Sequence, residues 1–469
     1  MKCSFMRPVC CNELLLDTSV ELSHFGGRMT HIAIRRLALS IAASAVLATA
    51  TAASAFTKPP FPRIAGIQLN TQPLSYNDPG YQAGIAKENL AVLSYWPGLA
   101  PGGQSMNSIV QAIKAKNPSE LVFLYVRSDS MSYPVANDVI AQWRNKMYSM
   151  KWWLYSDAPM TQAVKSVDGS ADYTLNNTLF TPKDSNGDNS VDWMTKYFVN
   201  SWYKPNSAVD GLFMDNVFEK PNVSGDWQRN GKVEAATDPN AATWLRQGYA
   251  RYFSLVRTLM HGKYQIGNVA QWGQSGAVAS EYQGIADGGL MEAYIGKSWS
   301  VETWGTWATM MDRYRKTMAA LLEPKLGILG QWGDPHDYQS MRYGLGSCLL
   351  GDGYYSFADA SQGYYGVVWF DEFDVKLGQA SAAPTAAWQS GVWRRDFDNG
   401  VVLVNPRGNG AKTVTLEADF VRVRGTQDPV TNNGQTVRTV TLKDRDGIIL
   451  LRQNPMKRPK SPANLTSQQ

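Results

Sequence analysis

Eight apolar runs of strand length recur between residues 63 and 358, separated by longer segments with helical spacing. They are RIAGIQLN (63–70), LAVLSYW (90–96), LVFLYVR (121–127), DGLFMDN (210–216), YQIGNVAQW (264–272), GGLMEAY (288–294), LGILGQW (326–332) and GYYSF (353–357). Their near-continuous apolarity suits a parallel sheet covered on both faces, not the alternation of a half-exposed antiparallel one. The intervening segments read as crossover helices. ATWLRQGYARYFSLVRTLM (242–260) and VETWGTWATMMDRYRKTMAALL (301–322) set large apolar residues three and four apart, and SMNSIVQAIKAKNP (105–118) stops at Asn-Pro. Strand and helix alternating eight times predict an α/β fold, a (β/α)8 or TIM barrel. A doubly wound open sheet is the alternative, weakened because no GxGxxG or GxxxxGK[ST] follows the first strand.

KWWLYSDA (151–158) is a ninth candidate strand, placed here in the long excursion after the third strand. After Phe370 the texture changes: GVVLVNPRGNGAKTVTLE and RTVTLKDRDGIILLR alternate apolar and polar residues between turn formers. A small antiparallel β-sandwich is expected over 380–453, packed on a barrel over 56–379, with a tail from 454 to 469.

The segment before the barrel reads as an export signal. Arg35 and Arg36 precede an apolar run from Leu37 to about Ala50 and then Ala53-Ser54-Ala55, so residues 29–55 are expected to form a signal peptide and 1–28 a non-native upstream extension. The run is too short and alanine-rich for a membrane span, and a secreted or periplasmic protein without an integral membrane segment is expected. Cleavage removes Cys3, Cys10 and Cys11, leaving only Cys348 and so no intrachain disulfide. His261 and His336 are the remaining imidazoles and lack metal-site spacing; no metal or cofactor is expected. Net charge falls from +5 to +3 without any basic run interleaved with aromatics, which argues against a nucleic-acid partner. All 16 Trp, by contrast, lie in the exported part. Tryptophan-rich chains without disulfides suit carbohydrate partners, whose apolar C–H faces stack on aromatic rings. A monomer is expected.

In a barrel of this kind the active site lies at the carboxyl ends of the strands. Asp215 closes the fourth apolar run and Glu292 the sixth. Two carboxylates on one rim are what glycosidic bond cleavage requires, in a retaining or an inverting geometry that sequence leaves open. Asn216, Asn268, Gln331, Trp332, Tyr125, Trp96 and Gln68 occupy comparable strand ends and are candidate substrate-binding residues. Asp starts with the lower reference pKa and Asn216 adjoins it, which points to Asp215 as an ionised nucleophile; Glu292 sits among apolar neighbours, which suits a general acid.

The sequence DGLFMDN, then IGN, GGLMEAY and LGILGQW, followed by WFDEFDVKLG and NGVVLVNP, resembles hypothetical glycosyl hydrolase family fifteen, and more distantly the polygalactosaminidase and α-galactosidase barrels. The resemblance runs from RIAGIQLN onward. It implies a TIM barrel and glycosidase activity, with the acid of the fourth strand, here Asp215, as nucleophile and that of the sixth, here Glu292, as acid/base. A non-catalytic carbohydrate-binding protein on the same scaffold is the rival reading, because fold does not fix function.

Two other acidic motifs read as structural. DSNGDNSVD (184–192) spaces its side chains like a calcium loop but has Thr195 where the bidentate acid belongs, so a polar loop with Asp192 starting a helix is expected. In WFDEFD, Asp371 and Glu372 lie beyond the last strand and suit interdomain contacts.

Overall fold

The computed structural model describes residues 56–69, 76–94, 105–132, 140–167 and 172–454; the expected leader, Trp96 and residues 455–469 of the expected tail lie outside them. Eight parallel strands form one sheet: β1 (Ala65–Gln68), β2 (Leu90–Ser94), β3 (Leu121–Arg127), β4 (Gly211–Asp215), β5 (Tyr264–Asn268), β6 (Gly288–Ile295), β7 (Leu326–Gly333) and β8 (Tyr354–Asp359). Each pairs with its neighbours in sequence, and the ring closes where Tyr355 N donates to Arg63 O at 2.8 Å. The eight apolar runs therefore form the barrel in the order expected, because a strand buried on both faces cannot sit at an open edge.

The helices start where capping side chains satisfy otherwise orphaned amides. Ser105 caps Met106–Lys116, and Asp238 with Pro239 starts Pro239–Leu259, which buries Leu245, Tyr249, Phe253 and Val256 toward the barrel. The helix expected over 301–322 is two helices, Val301–Trp304 and Trp307–Ala320. Gly305 leaves helical geometry and Thr306 caps the second, so Gly-Thr overrides an apolar period that continues across the break.

KWWLYSDA stays out of the barrel and pairs locally, Trp153 with Leu175 and Tyr155 with Ala163. In the 184–192 loop, Asp184 meets Lys146 at 2.7 Å and Asp188 meets Lys196 at 2.5 Å, so lysines take the two carboxylates a calcium loop would need. The following helix, Ser190–Phe198, is capped by Asn189 and not by Asp192, which lies in its first turn and pairs with Arg251.

Five antiparallel strands follow, in one sheet where a sandwich was expected: β9 (Trp393–Phe397), β10 (Gly400–Asn405), β11 (Lys412–Arg422), β12 (Thr436–Leu442) and β13 (Asp446–Arg452), in the order β9-β10-β13-β11-β12. Val402, Val404 and Ile449 join the core of the barrel, whereas Val401, Leu403 and Leu450 enclose a second core with Val414, Leu416 and Val440. Both faces of β10 are thus buried. Arg445 grips the fully buried Glu302 with two bonds of 3.0 Å, and Asp371 accepts from the Thr426 and Gln427 amides, so the WFDEFD acids do tie the barrel to the sheet. Removing one partner of such a buried pair strands the other charge and costs about 3–5 kcal/mol. Among the described residues no helix is long and apolar enough to cross a membrane.

Candidate active site

Side chains alternate along a strand, so a single residue of register decides whether a polar strand end faces the barrel lumen or the helices outside. On β3 and β4 the inward set includes Tyr125, Phe213 and Asp215; the Tyr125 and Phe213 rings stack with centroids 5.9 Å apart. Asp215 sits level with Arg127 of β3, at the carboxyl end of the sheet. The Arg127 guanidinium bonds Asp129 at 2.9 Å and Asp172 at 3.2 Å.

Three donors converge on Asp215: the Tyr125 hydroxyl reaches Oδ2 at 2.5 Å, while the Asn216 backbone amide at 2.9 Å and Asn268 Nδ2 at 3.0 Å reach Oδ1. The donor expected from Asn216 is thus its main chain, not its carboxamide. Asn216 has φ 55, a left-handed conformation that asparagine tolerates better than most residues, and its carbonyl accepts from Tyr249 on the helix Pro239–Leu259.

Glu292 enters the same group from β6. The pairing of β6 with β7 shifts register between Met291 and Ile295, and Ala293 takes φ 50. A bulge of this kind re-aims the side chain beside it, at the cost of strain in an alanine. Glu292 Oε1 accepts from the Tyr364 hydroxyl at 2.8 Å, and Oε2 accepts from Asn268 Nδ2 at 2.8 Å. Asn268 is therefore the hub: one amide nitrogen bonds both carboxylates, and its Oδ1 accepts from the Ala270 amide at 3.2 Å, which fixes the orientation of the group.

Burial, and next the charge of Glu292, push the Asp215 carboxyl up to about 6, while its bonds from Tyr125 and Asn268 pull the other way. This corrects the expectation that Asp215 ionises readily by virtue of its type. Asp215 therefore keeps its proton until the pH reaches about 6. A pair holding one proton can supply both an acid and a nucleophile or base.

Trp332 faces inward beside the site and meets the Tyr364 ring at 4.7 Å. Two other expected binding residues do not. Gln68 is 3% exposed and bonded to Tyr81 and Glu88, beneath the helix Pro79–Ile85. Gln331 is 1% exposed and bonded to Ser340 and Tyr355, beneath the helix Tyr338–Leu349. Both lie one residue out of phase with the inward set, so they belong to the layer between sheet and helices and not to the mouth. Trp96 lies outside the described residues. Tyr364 was missed by sequence reasoning, since it follows the last strand in a loop with no apolar run to mark its direction.

A cavity of about 310 Å³ opens over this group, lined by Asn216, Asn268, Glu292, Arg313, Trp299 and Trp304 among others.

The sequence profile of hypothetical glycosyl hydrolase family 15 matches residues 114–401. No curated protein matches the chain. Similar solved structures include the glycoside hydrolase domain of PelA from Pseudomonas aeruginosa, at 12% identity and TM-score 0.38, covering 66% of this chain and 99% of that one. Another is a cycloalternan-forming enzyme from Listeria monocytogenes in complex with a pentasaccharide substrate, at 10% identity and TM-score 0.45, covering 84% and 41%. A third is an α-amylase from Geobacillus thermoleovorans complexed with acarbose, at 10% identity and TM-score 0.43, covering 83% and 98%. Likenesses this weak carry no inference about substrate. The profile spans more than half of the chain, over a region that contains the barrel strands from β3 to β8 and both carboxylates, and on that ground the chain belongs to hypothetical glycosyl hydrolase family 15 and is a glycosidase.

Proposed function

We propose that the protein is an exported, retaining glycoside hydrolase that cleaves a poly- or oligosaccharide, with Asp215 as nucleophile and Glu292 as acid/base. The observation that carries this reading is the shared Asn268 nitrogen. Bonds of 3.0 and 2.8 Å from one atom hold one oxygen of each carboxylate within about 6 Å of the other, a spacing that supports the retaining separation of about 5–5.5 Å.

The division of labour rests on access. Glu292 lines the cavity, where a leaving group and then a water can reach it. Asp215 Oδ2 carries one donor and Oδ1 carries two, which leaves Oδ2 the freer to attack the anomeric carbon. Glu292 gives its proton to the departing oxygen as Asp215 bonds that carbon. It then takes a proton from water, which displaces Asp215 and restores both groups. Asn268 bonds both acids and holds them in this relation through both steps.

The test is release of reducing ends from soluble polysaccharides by the wild-type protein, followed by the anomer first formed. Retention of configuration is expected. Initial inversion, or unchanged turnover in Asp215→Asn, overturns the assignment. Export is tested by amino-terminal sequencing of the extracytoplasmic protein, with a start near Phe56 expected.

A further inference from the structure

Trp299 and Trp304 are 60% and 64% exposed, and among the described residues they are the only exposed tryptophans. Their rings stand edge to face with centroids 5.7 Å apart. Exposure here does not follow from a loose segment. Ser300 and Thr303 close a reciprocal capping box around the short helix Val301–Trp304, Val301 is buried, and Glu302 is fully buried in the grip of Arg445. The chain thus fixes two large apolar rings in water, which costs free energy.

Both rings line the cavity that contains Glu292 and Asn268. Gln271 lines it too, with a buried Oε1 that has no hydrogen-bond partner, and Arg313 lies beside it. On the far side of Trp299 a second cavity of about 330 Å³ continues toward Trp332 and Asp337. Apolar ring faces next to an unsatisfied acceptor and a guanidinium match a pyranose, which offers an apolar C–H face and a hydroxyl edge. Because Trp299 divides two cavities, a single sugar would leave one of them empty.

We infer that Trp299 and Trp304 form a stacking subsite for a further sugar ring of a chain substrate, with Gln271 accepting from one of its hydroxyls. The inference rests on the glycosidase reading and extends it: the site is built for an oligo- or polysaccharide, held by rings remote from the cleaved bond.

The full chain carrying Glu292→Gln is run in native gels containing dextran, galactomannan, xylan or chitosan, alone and combined with Trp299→Ala or Trp304→Ala. At least one polysaccharide is expected to retard the parent, and each alanine variant to weaken that retardation about tenfold. Trp299→Phe, which keeps a stacking face, is expected to restore part of it. Melting curves show whether the variants fold. Equal retardation of parent and variants overturns the subsite, as does no retardation by any of the four. Reducing ends released by the wild-type protein are measured in parallel. Binding that depends on the tryptophans without any release would sink the catalytic reading and spare the subsite; release without that dependence would do the reverse.

Discussion

Two sets of polar strand ends on one barrel have opposite destinations. Asp215, Asn268 and Glu292, on β4 to β6, turn inward and share hydrogen bonds. Gln68 and Gln331, on β1 and β7, turn outward and are sealed under helices. All five interrupt apolar runs at similar depth, yet only in the first set do two members, Asn268 and Glu292, line the 310 Å³ cavity. The difference is parity: Trp332 points inward and its predecessor Gln331 therefore points outward. Polarity at a strand end marks a candidate, and phase relative to the inward residues decides it.

The largest expected effect comes from breaking the inward set. Asp215→Asn and Glu292→Gln should fold and lose at least about a thousandfold in kcat on a confirmed polysaccharide. An aryl glycoside with a good leaving group should restore the first step in Glu292→Gln and not in Asp215→Asn, read as a burst of released phenol. Removing the hub is milder. Asn268→Ala should cost about a hundredfold in kcat and, by deleting a donor to Asp215, move upward the acid limb of the pH profile, which ionisation of that nucleophile sets.

That limb is itself expected near pH 6, where Asp215 loses its proton. The sign for stability follows from the same shift. Burial and Glu292 raise the folded Asp215 above its ordinary 3.8, so the folded state binds the extra proton between about pH 4 and 6. This contribution is full below about pH 4 and is lost as pH rises through about 6. Denaturation midpoints should show a loss of about 2 kcal/mol across that window in the wild type, and a flatter response in Asp215→Asn.

The outward set should respond in the opposite way. Gln331→Leu removes the 2.7 Å acceptor of the buried Tyr355 hydroxyl and a donor to Ser340, and should destabilise by about 1–3 kcal/mol, with activity per folded molecule retained. Gln68→Leu should behave alike with a smaller change. A fall in kcat without loss of stability in either variant would show that parity does not separate the two sets.

The sequence by itself determined the barrel, the antiparallel character of the C-terminal strands and the strand-end position of Asp215 and Glu292, because each leaves a periodic mark. Eight doubly buried runs cannot hide, and Asp215 and Glu292 interrupt two of them at the end that a barrel exposes. The calcium-like loop and the WFDEFD acids were also legible as structural, from a missing ligand and from a position past the last strand. Only the tertiary structure decided what depends on direction in space. Strand phase sent Gln68 and Gln331 outward, Gly305 and Thr306 split a helix whose apolar period ran on, and a bulge with Ala293 at φ 50 turned Glu292 toward Asn268. The raised Asp215 value also needed the fold, since side-chain type sets only the reference pKa and the shift comes from burial and from a carboxylate 77 positions away in the chain. Tyr364, Trp299 and Trp304 carry no periodic mark, because loops place side chains by contacts between distant residues that no local pattern encodes.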